Sequence, residues 1–212
     1  MSFFEILDQI GIITFTISGT RLAFSKKLDP FGALVMGGVT AIGGGTLRDI
    51  LINQPVFWLQ DSIPLISIII GFGATIAFRK KIVSIKRTLV MFDTIGLGVF
   101  LVIGMEKALE ANLGPIQAII IGTMTAVFGG VVRDTLSNEI PLIFRKEMYA
   151  TTCILGGILY LVLGYLSMPL WFTPLITILT VISLRIISIK LNLSYPQLGN
   201  RDRIVKLVLI NF

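Results

Sequence analysis

Apolar positions run through this chain in seven long blocks separated by short polar connections. Blocks of about 20 apolar residues suffice to cross a bilayer as a helix. Here they extend from Phe3 to Ala23, Pro30 to Ile52, Ile63 to Phe78, Thr88 to Lys107, Pro115 to Leu136, Tyr149 to Leu166 and Pro169 to Ile189. The pattern predicts an all-α integral membrane protein with seven transmembrane helices. The third block is short, and glycines interrupt the second and fifth. The first block carries Glu5 and Asp8 rather than a basic flank, so it is expected to be a retained helix and not a signal peptide.

The pattern repeats. Residues 41–55, AIGGGTLRDILINQP, are echoed by AVFGGVVRDTLSNEIP at 126–141. At an offset of 85, Thr40 matches Thr125, Gly44 and Gly45 match Gly129 and Gly130, Arg48 and Asp49 match Arg133 and Asp134, and Asn53 matches Asn138. The register extends without a gap through Asp8 with Asp93, Phe15 with Phe100, Gly19 with Gly104 and Pro30 with Pro115, and slips by one residue only at Pro55 and Pro141. Each copy holds three blocks, an odd number, so the second copy enters the membrane from the opposite side. The expected organisation is a first repeat over 1–85, an inverted second repeat over 86–168, a seventh helix over 169–191 and a cytoplasmic tail over 192–212. Inverted repeats of this kind place substrate or ion sites between the two halves of many transport proteins.

Composition agrees with a membrane setting: 54% of residues are hydrophobic and 14% charged, against about 25% charged in ordinary soluble domains. The net charge of +6 does not require a nucleic-acid partner. If helices alternate in direction, fourteen Lys and Arg residues fall on one side, among them Lys26, Lys27, Arg79, Lys80, Arg145 and Lys190, whereas the loops of the other side carry Lys107 alone. The positive-inside rule makes the basic side cytoplasmic, with the N-terminus outside and the C-terminus inside. Histidine is absent and Cys153 is the only cysteine, which removes the commonest metal ligand, the usual general base and any intrachain disulfide. There is no phosphate loop, no dinucleotide fingerprint and no nucleophile with a base and orienter, so an enzyme is not expected, nor a cofactor.

Glycine costs about 1 kcal/mol per residue in a helix interior, so the clusters at Gly43–Gly45 and Gly129–Gly130 require a reason. Each lies about 20 Å into its block at 1.5 Å per residue. Two readings follow. Unwound helices release carbonyls that coordinate a cation, as in selectivity filters; alternatively, the glycines let helices approach closely. Arg48, Asp49, Arg133 and Asp134 are costly within a membrane and are expected to face the protein interior or water. Neighbours on a helix point about 100° apart, so each Arg is expected to pair across the repeats, Arg48 with Asp134 and Arg133 with Asp49, or with Asp8 or Asp93. These charges either hold the repeats together or stand as gatekeepers at two pore ends. Asp8 and Asp93 either cap helix N-termini or form part of a cation path. Arg185 is expected to snorkel to the cytoplasmic surface, and Trp58 and Trp171 to anchor at the interfaces.

The stretches FTISGTRLA, TAIGGGTLRD, FDTIGLGVF and TAVFGGVVRD, spread over the six repeated helices, resemble the prokaryotic members of the trimeric intracellular cation channel family. The resemblance implies a seven-helix protomer in a homotrimer, each protomer with its own pore, conducting monovalent cations, chiefly potassium, across a prokaryotic inner membrane among its lipids. It implies kinks at Gly43, Gly44 and Gly45 and at Gly129 and Gly130, followed by Arg48, Asp49, Arg133 and Asp134. Thr40, Thr125, Ser18, Asp8 and Asp93 complete the expected ion path. Phe128 stands where the first repeat has Gly43, so the fifth helix is expected to bend less. Bacterial members are also linked with uptake of small neutral solutes such as glycine, which leaves a secondary transporter as the alternative.

Overall fold

Local signals set the helix ends in the computed structural model, which describes residues 2–78, 88–145, 148–166, 168–169 and 171–193. Helix α1 (Phe3–Ser25) opens on a capping box: the Ser2 hydroxyl accepts from the Glu5 amide while the Glu5 carboxylate accepts from the Ser2 amide. Asp29 caps α2 (Pro30–Leu51) by accepting from the Gly32 amide at 2.7 Å, with Pro30 at the first helical position. After a short α3 (Phe57–Gln60) come α4 (Ile63–Ala77), α5 (Thr88–Glu110), α6 (Pro115–Leu136), α7 (Ala150–Tyr165) and α8 (Phe172–Lys190), with a 3-10 turn at Leu142–Phe144 before α7. No strand occurs among the described residues. Helices α2, α5, α6 and α8 are long and apolar enough to cross a membrane; α4 and α7 are shorter apolar helices. The tail from Ser194 onward, and the basic residues at 79–81, 86–87 and 146, lie outside the described residues.

The sequence repeat reappears as repeated turn geometry. Lys27, Asn53, Asn112 and Asn138 all take left-handed φ values, 60°, 54°, 59° and 54°, and the amide after each returns to the carbonyl five residues before it: Leu28 to Ala23, Gln54 to Asp49, Leu113 to Ala108 and Glu139 to Asp134. These are Schellman endings, and they explain why Asn recurs at 53 and 138, since Asn tolerates the left-handed region better than most residues.

Packing is reciprocal as well. Helix α5 is the most buried span; it packs on α1, α6 and α8, while α2 crosses α6. Phe15 and Phe100 meet edge to face with ring centroids 5.0 Å apart. A Cβ on Gly96 would overlap the Phe15 ring, and one on Gly11 would press on the Phe100 ring. At the α2–α6 crossing, a Cβ on Gly44 would overlap the Thr125 carbonyl oxygen and one on Gly129 would overlap the Thr40 carbonyl oxygen. Contact of residue i with j + 85, matched by contact of i + 85 with j, is the signature of a two-fold relation.

The crossing corrects the expectation of broken helices. Both α2 and α6 are continuous α-helix through their glycine clusters, and no glycine has a positive φ. In an apolar interior a freed carbonyl is expensive. Removing side chains where two backbones meet brings the helices together while every helical hydrogen bond is kept.

Candidate functional site

The candidate residues fall into three groups along the α2–α6 pair. Thr40, Gly43, Gly44, Thr125 and Gly129 form the crossing itself. Both threonine hydroxyls donate to the carbonyl four residues back, Met36 and Ile121, at 2.6 and 2.7 Å, and both are buried against a glycine, Gly19 and Gly104. The other two groups are the Arg-Asp pairs that close each helix.

Each arginine pairs with its own neighbour, contrary to the expectation from helical direction. Arg48 Nε and a terminal guanidinium nitrogen reach Asp49 Oδ1 at 2.8 and 2.7 Å; Arg133 Nε reaches Asp134 Oδ1 at 2.8 Å. The 100° rule describes where Cβ atoms point, whereas an arginine in a final turn is long enough to fold back on the carboxylate. The second oxygen of each carboxylate accepts a backbone amide eight residues on, Phe57 at 2.9 Å and Leu142 at 3.1 Å. Thus each aspartate ties its arginine to the segment that returns after the helix. Neither cross-repeat pair forms among the described residues.

Beyond this shared frame the two ends differ. Arg133 is fully buried and also donates to Asp93 Oδ1 and Ser18 Oγ, each at 2.7 Å, which realises the expected link to Asp93. Gly130 leaves room beside Tyr149, Asp93 and Arg133, since a Cβ there would lie 3.2–3.5 Å from all three. Arg185 corrects a further expectation: it is fully buried, stacks 4.9 Å over the Tyr149 ring and donates to the Met148 carbonyl, so it does not reach the surface. At the other end Arg48 lies 5.6 Å over the Phe57 ring, whose position Gly45 permits because a Cβ there would press on it. Asp8, the counterpart of Asp93, is half-buried and makes no ion pair with Arg48 among the described residues. A cavity of about 240 Å³ opens here, lined by Arg48, Asp49, Gln54, Lys107, Glu110 and Ala111 among others.

Each end carries one arginine against two aspartates, Arg133 with Asp134 and Asp93, and Arg48 with Asp49 and Asp8. At the Arg48 end this leaves acidic charge in excess, since Lys107 and Glu110 pair with each other, which favours cations over anions; at the Arg133 end the buried Arg185 over the Tyr149 ring offsets it. Among the described residues no three His, Cys, Asp or Glu side chains converge on a metal site. Tyr149, Lys107, Glu110 and the Lys26–Glu139 ion pair, at 2.5 Å, enter the picture only through the fold. By contrast, Asn53 and Asn138, whose turns position the flanking loops, had a signal in the repeat.

A family model described as "Glycine transporter" matches the chain twice, over residues 5–80 and 90–165. The inner membrane protein YadS of Escherichia coli K12 is 40% identical over 193 residues, covering 90% of this chain and 93% of that protein. The membrane protein YvgT of Bacillus subtilis is 36% identical over 162 residues, 73% of this chain and 78% of that one. Among solved structures, the trimeric intracellular cation channel orthologue from Rhodobacter sphaeroides superposes with a TM-score of 0.86 at 32% identity, over 91% of this chain and all of that one. A prokaryotic channel of the same kind, solved in 0.5 M KCl, gives 0.80 at 35% identity, over 91% of this chain and 98% of that one. The likeness extends to a trimeric intracellular cation channel from C. elegans with bound Ca2+ at 18% identity and a TM-score of 0.59, which reaches the fold alone. The chain is a multi-pass membrane protein that belongs to this glycine-transporter family, a prokaryotic branch of the trimeric intracellular cation channel fold.

Proposed function

We propose that this protein is a monovalent cation channel, selective chiefly for potassium, with a path in each protomer between two inverted three-helix repeats (1–85 and 86–168) and across the α2–α6 crossing. Helix α8 lies outside the repeats within the expected segment 169–191, the chain crosses the membrane seven times, and three copies assemble. The basic end, with Lys26, Lys27, Arg145 and Lys190, is cytoplasmic. The observation that carries the reading is the reciprocal α2–α6 crossing, flanked at both ends by an Arg-Asp cluster and opening at one end into the 240 Å³ cavity, where acidic charge is in excess. The solved relatives described as cation channels support a cation as the permeant species, and potassium is the ion that the family resemblance implies.

The route differs from a carbonyl-lined filter. Because α2 and α6 keep their helical hydrogen bonds, their carbonyls are occupied; the groups left for an ion are the acidic residues Asp8, Asp49, Asp93 and Asp134 and the lone pairs of Ser18, Thr40 and Thr125. The crossing is too tight for an ion, so conduction requires α2 and α6 to part, and the observed arrangement is a closed state. Glycine faces suit such a movement because they present no interlocked side chains.

A second reading, a secondary transporter of a small neutral solute such as glycine, is favoured by the family description and by a cavity at one end whose lining has buried counterparts at the other among the described residues, as an alternating-access state requires. Purified protein in proteoliposomes separates the two. Potassium flux at a set membrane potential, without saturable uptake of radiolabelled glycine in the same vesicles, is expected. Saturable glycine uptake without ion flux would replace the channel by the transporter.

A further inference from the structure

The two ends of the path are built from equivalent backbone, so a difference between them must come from side chains. The Schellman turn after α1 matches that after α5, and the turn after α2 matches that after α6. Position 26 is therefore equivalent to 111, and 139 to 54. At the basic end these positions hold Lys26 and Glu139, joined Nζ to Oε1 at 2.5 Å across the gap between the two turns, with the Arg145 guanidinium 3.7 Å from the other Glu139 oxygen. At the opposite end they hold Ala111 and Gln54, which cannot form an ion pair, and both line the open cavity.

The neighbours follow the same division. Arg48, Asp49, Ile52, Phe57 and Lys107 border the cavity. Arg48 and Asp49 are buried there just as Arg133 and Asp134 are at the basic end, but Ile52 and Phe57 are half-buried and Lys107 is exposed, whereas their counterparts Ser137, Leu142 and Leu22 are all buried. Ser137, buried two residues before Glu139, lies with its hydroxyl 4.0 Å from Met36 Sδ, so the C-terminal end of α6 meets α2 there.

We propose that Lys26 and Glu139 form a latch that holds the cytoplasmic mouth of the path shut, and that the extracytoplasmic mouth lacks one because Ala111 and Gln54 occupy the equivalent places. This rests on the reading of a path between the repeats. The pair bridges the α1–α2 and α6–α7 connections, so opening that end requires it to break. It is about 36–40% exposed. An ion pair so exposed biases an equilibrium by only about two- to five-fold, a strength that delays opening without preventing it.

The test uses the full-length protein in membrane vesicles, in a Cys153→Ser background, and reads a charged, membrane-impermeant thiol reagent. With Ser137→Cys and the reagent on the cytoplasmic face, Glu139→Gln is expected to raise the labelling rate two- to five-fold. With Ile52→Cys and the reagent on the other face, Ala111→Lys together with Gln54→Glu transplants the pair and is expected to lower the rate by a similar factor. Failure of either effect overturns the latch. Potassium flux in the unaltered protein is measured alongside. Labelling that responds as expected without flux would leave the latch and remove the conduction reading, whereas flux with unresponsive labelling would do the reverse.

Discussion

Replacing Gly44 by alanine probes the α2–α6 crossing with one methyl group. A Cβ at Gly44 would overlap the Thr125 carbonyl oxygen, a backbone atom held in helix α6, whereas a Cβ at Gly43 would stand 3.8 Å from the Gly129 Cα, an ordinary contact. In a continuous helix alanine gains about 1 kcal/mol over glycine, and that gain applies at both positions. Forcing a methyl into a packed contact costs about 1–3 kcal/mol. The balance is a stabilisation of about 1 kcal/mol for Gly43→Ala and a net cost of up to about 2 kcal/mol for Gly44→Ala. At about 2–4 °C per kcal/mol for a chain of this size, the two variants should differ in melting temperature by several degrees in the same detergent, with Gly43→Ala above the parent. Gly129→Ala, whose Cβ meets the Thr40 carbonyl, should behave like Gly44→Ala. Equal, raised melting temperatures for Gly43→Ala and Gly44→Ala would refute a tight crossing and reopen the unwound-helix reading.

Three further outcomes follow from the same geometry. Asp93→Asn removes one carboxylate from the fully buried Arg133; breaking a buried pair costs about 3–5 kcal/mol, and because Asp134 still holds the guanidinium the lower end is expected, read as a loss of melting temperature well beyond that of Asp8→Asn, which breaks no ion pair. Asn138→Val places a β-branched residue at φ 54° and should cost about 1–2 kcal/mol, whereas Asn138→Gly should be close to neutral; similar melting temperatures for the two would contradict the Schellman ending. The hydrogen bond from Lys26, together with the charges of Lys26 and Arg145, holds the Glu139 carboxyl below its usual range. Since this lowers the folded-state value, the latch is intact above the ordinary carboxylate pKa and is lost only as pH falls through the depressed one; the ratio of Ser137→Cys labelling rates with and without Glu139→Gln should stay constant from about pH 7.5 to about pH 5, and a ratio that collapses near neutrality would contradict the pairing.

The helices and their repeat were legible in the sequence because apolar runs, Pro30 and Pro115 are local signals and matched residues such as Asn53 and Asn138 mark the register. The glycine clusters stood out in the sequence, but their packing role did not. Unwinding and close approach both call for residues without a Cβ, and what separates them is a carbonyl far along the chain in the other repeat, Thr125 for Gly44 and Thr40 for Gly129. The arginines were misread for a related reason. Helical direction places Arg48 away from Asp49, but it omits the reach of the side chain and the returning amides of Phe57 and Leu142 that orient each carboxylate. For Arg185, an apolar helix end with Lys190 nearby suggested the surface, and only the fold brings the Tyr149 ring and the Met148 carbonyl into its reach. The latch positions carried no local mark, since Lys26 and Glu139 are 113 residues apart and gain meaning only beside Ala111 and Gln54.

The most direct test of the path is to plug it where α2 and α6 cross. Gly43→Cys in the Cys153→Ser background introduces a thiol beside Gly129 at a position that tolerates a Cβ. Potassium flux into proteoliposomes is then recorded before reaction with a charged thiol reagent, after reaction taken to completion by mass spectrometry, and after reduction. Flux is expected to stop on modification and to return on reduction. Flux that continues unchanged through a fully modified protein would contradict a route across the α2–α6 crossing.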